Sequence, residues 1–148
     1  MVMLLNQTIT GALANQVGNV LQIRGGPGSA QLPDGLVFQA TFTYGSGGTS
    51  VNAWLQTSID GELTWCDAVS FTQFATASAR LIGSVTSTTA LAMAAATDGT
   101  LAAGTVNAGL IGPKWRVKWT SVGTYAGGTT LRVDAYTDGL VLAPSSGG

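Results

Sequence analysis

Four stretches of the chain alternate apolar and polar residues with a period of two, the signature of strands buried on one face. In the first, 36–44, Leu36, Phe38, Ala40, Phe42 and Tyr44 share a face, with Gln39, Thr41 and Thr43 opposite. In the second, 51–59, Val51, Ala53, Leu55, Thr57 and Ile59 line up, with Trp54 and Gln56 on the other side. The third, 114–120, turns Trp115, Val117 and Trp119 inward and Lys114, Arg116 and Lys118 outward. The fourth, 129–137, does the same with Leu131, Val133 and Ala135 against Arg132, Asp134 and Tyr136. Antiparallel sheets with one solvated face read this way. Weaker strand patterns cover 4–9, 16–23, 64–70 and 79–86.

Turn signals separate these runs: Gly25-Gly26-Pro27-Gly28, Pro33-Asp34-Gly35, Gly45-Ser46-Gly47-Gly48, Asp60-Gly61, Asp98-Gly99 and Gly127-Gly128. The segment 86–104 breaks the pattern. It is rich in Ala and Thr, and Ala90 to Ala96 favours a helix, but seven residues make about two turns, which is marginal alone. It reads as a long surface connection with room for a short helix, of a length that usually serves function or touches a partner. Eight or nine short strands predict an all-β, antiparallel β-sandwich, with a jelly roll as the leading arrangement. An immunoglobulin-type sandwich is the alternative. No internal repeat or second domain boundary is visible. The expected organisation is one sandwich domain over 1–148, with an N-terminal arm at about 1–10 and a C-terminal tail at about 139–148.

Composition changes this picture in one direction. The 148 residues are 45% hydrophobic but only 9% charged, where soluble domains average about 25%. The surface must then be covered by small polar residues or lie against other subunits, because little self-repulsion keeps copies apart. A net charge of −1 gives no electrostatic reason to bind nucleic acid. There is no His, and Cys66 is the one Cys. Ser-His and Cys-His catalysis, His-ligated metals, multi-cysteine zinc sites and internal disulfides are therefore excluded. The opening Met1 to Leu5 lacks the charged start of a signal peptide and meets Asn6, Gln7 and Thr8 at once, so synthesis in the cytoplasm without a cleaved export signal is expected. No run reaches the roughly 18 apolar residues of a membrane helix.

One motif carries possible chemistry. Ser58-Ile-Asp-Gly-Glu-Leu-Thr-Trp65 is close to the Asp-box pattern Ser-x-Asp-x-Gly-x-Thr-Trp of sialidases and many secreted β-proteins. Asp60-Gly61 favours a hairpin, and the Ser58 and Thr64 hydroxyls can bond the turn. Glu62 occupies the Gly position, only one copy is present, and no Arg cluster with a Tyr nucleophile can be assigned, so the motif reads as a structural hairpin. Asp60, Glu62 and Asp67 could serve glycoside hydrolysis or Ca²⁺ binding, but solvated turn carboxylates are the simpler reading. The sequence predicts no catalytic residue, metal or cofactor.

The outward stripe Lys114, Arg116 and Lys118, joined by Arg132 from a neighbouring strand, is the sharper candidate. It either faces an acidic partner or protects a strand edge. Trp54, opposite the apolar face of its strand, is the candidate interface aromatic. Trp54, Trp65, Trp115 and Trp119 could alternatively form a sugar-stacking platform. Cys66 reads as a small buried hydrophobe.

Two segments, Gly48 to Trp65 and Arg116 to Val133, resemble segments of small virion proteins of tailed bacteriophages. In those proteins the hairpin often carries Asp-Gly-Gly where this chain has Asp-Gly-Glu. The resemblance covers about half of the chain and implies a jelly-roll capsid cement or decoration protein. It implies a place on the capsid surface, the major capsid protein as partner, and self-association as a dimer or trimer. No active site comes with it. The alternative is a carbohydrate- or receptor-binding domain of a tail or head spike, using Trp54, Gln56 and carboxylates near Asp60.

Overall fold

A computed structural model of the chain describes residues 2–24, 35–137 and 141–144. The described residues form thirteen strands: β1 (Val2–Thr8), β2 (Gln16–Val17), β3 (Leu21–Arg24), β4 (Gly35–Thr43), β5 (Ser46–Gly47), β6 (Ser50–Ser58), β7 (Cys66–Ser70), β8 (Ala79–Thr86), β9 (Thr105–Val106), β10 (Lys114–Val122), β11 (Tyr125–Ala126), β12 (Thr130–Tyr136) and β13 (Val141–Pro144). All pairings are antiparallel. One sheet runs β1-β12-β4-β8. The other runs β13-β3-β10-β6-β7-β9, with β2 also paired to β10. A small ribbon, β5 with β11, closes one end.

The eight main strands in chain order are β1, β3, β4, β6, β7, β8, β10 and β12. They pair first with last, second with seventh, third with sixth, and fourth with fifth. That is a long antiparallel ribbon rolled into two sheets, the jelly-roll arrangement, and the immunoglobulin-type alternative does not apply. No helix occurs among the described residues. The segment after β8 is irregular through 104, so the short helix expected near Ala90–Ala96 does not form there.

The alternating residues supply the core between the sheets. Leu36, Phe38, Ala40 and Phe42 from β4 meet Val51, Ala53 and Leu55 from β6 and Trp115, Val117 and Trp119 from β10. Burying each large side chain stabilises by about 1.5–3 kcal/mol. Phe42 stacks on Phe74 at 5.0 Å and meets Tyr125 edge-on at 6.0 Å. The predicted run 16–23 splits into β2 and β3 around Gly18, whose N–H donates to the Val117 carbonyl. A Cβ on Gly18 would lie 3.1 Å from the Leu5 side chain.

The N-terminal segment is a sheet strand, not a free arm: β1 pairs with β12 from Val2↔Ala135 to Thr8↔Thr130, with a bulge between Met3 and Leu5. Of the expected C-terminal tail, Val141–Pro144 pairs with β3, and the rest lies outside the described residues. The turns expected over 25–34 also lie outside them.

Candidate functional site

The predicted cationic stripe and Trp54 all lie on the outer face of the larger sheet, in register. Across β10 and β6, Lys114 faces Ser58, Arg116 faces Gln56 and Lys118 faces Trp54. On the far side of β6, Gln56 faces Asp67, because a bulge in β7 turns Asp67 outward. Asp67, Gln56 and Arg116 therefore form one row across three strands.

This row is not solvated. The connection after β8 crosses it as a strap, and every polar group in the row is bonded within the chain. Gln56 is fully buried. Its Nε2 donates to Asp67 Oδ1 at 2.8 Å and to Asp98 Oδ1 at 2.7 Å, and its Oε1 accepts from Arg116 Nε at 2.8 Å. Asp67, also fully buried, accepts the main-chain N–H of Gly99 on both oxygens at 2.8 Å. Thr100 and Leu101 N–H groups reach Asp67 Oδ2 at 3.1 Å. Three successive N–H groups converging on one carboxylate make an anion-binding nest, and Gly99 supplies the left-handed backbone, φ +84°, that it needs. Trp54 Nε1 donates to the Leu101 carbonyl at 3.1 Å.

The charges balance. Lys118 Nζ lies 3.0 Å from Asp98 Oδ1, Arg116 lies 3.8 Å from the same oxygen, and Lys114 Nζ lies 2.6 Å from Glu62 Oε2. The Arg116 guanidinium sits 4.3 Å from the centroid of the Trp65 ring. Burial pulls Arg116 below its ordinary value, with Asp98, Asp67 and Glu62 opposing; it stays charged at any physiological pH. Burial pushes the Asp98 carboxyl up, but hydrogen bonds from Gln56 and Lys118 and the charges of Lys118 and Arg116 bring it below the usual range.

The Asp-box-like octet is a hairpin with the expected bonding. Asp60 Oδ1 accepts from Ser58 Oγ at 3.0 Å and from Thr64 N–H at 2.9 Å, while Oδ2 accepts from Thr64 Oγ1 at 2.5 Å. The Thr64 hydroxyl and N–H draw the Asp60 carboxyl below its usual range. Gly61 and Glu62, in the connection between β6 and β7, both have positive φ, +72° and +74°. Glu62 thus holds the left-handed conformation that suits glycine.

Arg132 does not join the stripe. Its strand, β12, is in the other sheet between β1 and β4, and Arg132 Nε bonds Asp134 Oδ2 beside it at 2.9 Å. Trp54 is on the predicted face, but the strap buries it. All four tryptophans are at least nine-tenths buried, so no sugar-stacking tryptophan platform is exposed. Cys66 is half-buried, and burial, followed by Asp60, Asp67 and Asp98, pushes its thiol up, away from the nucleophilic thiolate. Asp60, Glu62 and Asp67 are engaged separately, in the hairpin, with Lys114 and in the nest. Among the described residues no three Asp, Glu or Cys side chains cluster to hold a metal ion. None of their helices could cross a membrane, as none forms.

What sequence reasoning missed was the partner of the stripe. Its one signal was Asp98-Gly99, legible as a turn but not as the turn that lands on Asp67. No family model matches the chain, and no curated protein or solved structure matches it either.

Proposed function

We propose that the chain is a non-enzymatic structural protein of a phage particle, a cement or decoration protein that binds the outer capsid. The observation that carries this reading is the contrast between its two outer faces. On the larger sheet, the groups that could do chemistry are spent on holding the strap. On the smaller sheet, Met3, Val37, Ile82 and Tyr136 expose large apolar surfaces on its four strands. Such a face offers area and shape, which clamping across subunits needs, and few charges to desolvate on docking. The low charge content and the resemblance of 48–65 and 116–133 to virion proteins support the same reading.

The test is to add purified protein to expanded capsids of the phage whose genes flank its own. Binding to the outer shell and a higher capsid melting temperature are expected. Neither binding nor stabilisation would sink the proposal. The glycan-binding alternative has less support, since Trp54 lies beneath the strap and the Asp60 oxygens bond Ser58 and Thr64.

A further inference from the structure

Sheet edges are where β-proteins associate by accident, so natural edges carry protection. Among the described strands, three of the four edges of the two larger sheets do. β1 is bulged, β9 has two residues, and β13 contains Pro144, which has no N–H. The fourth, β8, has none of these. It runs eight residues in unbroken register with β4, and no described strand lies on its other side. It contains no proline, and its one charge, Arg80, points to the outer face and bonds Gln39 at 2.8 Å. Beneath this edge a groove of about 160 Å³, lined by Phe38, Val69, Phe71, Leu81 and Val106 among others, opens between the two sheets.

The geometry points to β8 as a self-pairing edge through which two copies of this chain form a two-fold dimer. Antiparallel strands pair with their own copies isologously, so the same residues serve both sides. Centred on Ile82, the register sets Ile82 against Ile82 of the second copy on the outer face. It sets Arg80 against Ser84 and Leu81 against Gly83. Outer-facing residues then meet outer-facing residues, apolar meets apolar at the axis, and no like charges are opposed. Gly83 fits this position: a Cβ there would lie 2.6 Å from the Phe38 ring, so the inner face stays low where Leu81 of the other copy arrives. About 24 Å of edge, residues 79–85, would be paired, joining two four-stranded sheets into one of eight. The inference does not depend on the virion reading. A chain that dimerises but ignores capsids keeps this inference and loses that one.

The test is sedimentation of the full chain at concentrations up to about 0.1 mM, where even a weak association of this size is populated. Ile82 is 63% exposed, so its substitution leaves the fold intact, which circular dichroism checks. A concentration-dependent dimer is expected. Ile82→Lys and Ile82→Glu should each weaken it on the order of tenfold or more by opposing like charges, and mixing the two should restore it. Val37→Lys, on the same outer face one strand inward, should leave it unchanged. A wild-type monomer throughout, no recovery in the mixture, or a Val37→Lys effect as large as that of Ile82→Lys would overturn the inference. The last result would assign the contact to the sheet face.

Discussion

The carboxylate of Asp67 grips the main-chain N–H of Gly99 with both oxygens at 2.8 Å, across 32 positions of sequence. This contact fastens the strap to the larger sheet, because Thr100 and Leu101 donate to the same group. Asp67→Asn keeps the shape but removes the charge and turns one acceptor into a donor facing N–H groups. A loss of roughly 3 kcal/mol is expected. Hydrogen exchange should quicken at Gly99 to Leu101 while the core of β6 and β10 stays protected. Unchanged exchange in the strap would contradict this role.

Gln56 is the hub of the row, with its amide nitrogen shared between Asp67 and Asp98 and its oxygen taken by Arg116. Gln56→Ala leaves buried charged groups short of partners and should cost about 2–4 kcal/mol in urea unfolding. Asn52→Ala, at the end of the same strand with an exposed bond to Gln73, should cost about 0.5 kcal/mol or less. Equal costs would show that the hub has no special weight.

Glu62 does two opposed things: it holds a left-handed turn position and it pairs with Lys114. Glu62→Ala loses the pair and keeps the strain, whereas Glu62→Gly loses the pair and removes the strain. The Gly variant should therefore be more stable than the Ala variant by about 1 kcal/mol. The reverse order in chemical denaturation would refute the strain.

Acid should loosen the strap through Asp98. Its folded-state pKa is below the usual carboxylate value, so its stabilising contribution is complete above about pH 4 and is lost as pH falls through the depressed value. Unfolding curves at pH 7 and near pH 2.5 should differ less for Asp98→Asn than for the wild type. The same pH sensitivity in both would remove Asp98 from the account.

Much of the sandwich was legible because burial between two sheets imposes a period of two on the chain. Leu36, Phe38, Ala40 and Phe42, like Trp115, Val117 and Trp119, are inward in the structure as their spacing predicts. The hairpin at Asp60 was legible too, since turn chemistry is local. The second covering of β6 was not. Trp54 and Gln56 read as the solvated side of a half-buried strand, and their spacing carries no mark of a strap that arrives from more than 40 residues away.

Which sheet a strand enters is equally silent in its own residues. Arg132 alternates with core positions as Arg116 does, yet the rolled ribbon sends β12 to one sheet and β10 to the other. The sequence by itself determined the fold class, the inward faces and the lack of any histidine-dependent chemistry, because these follow from periodicity and composition. Only the tertiary structure decided that the cationic stripe is neutralised within the chain and that β8, among the described strands of the two larger sheets, is the edge without a bulge, proline or short length. Both depend on long-range pairing, which local pattern does not encode.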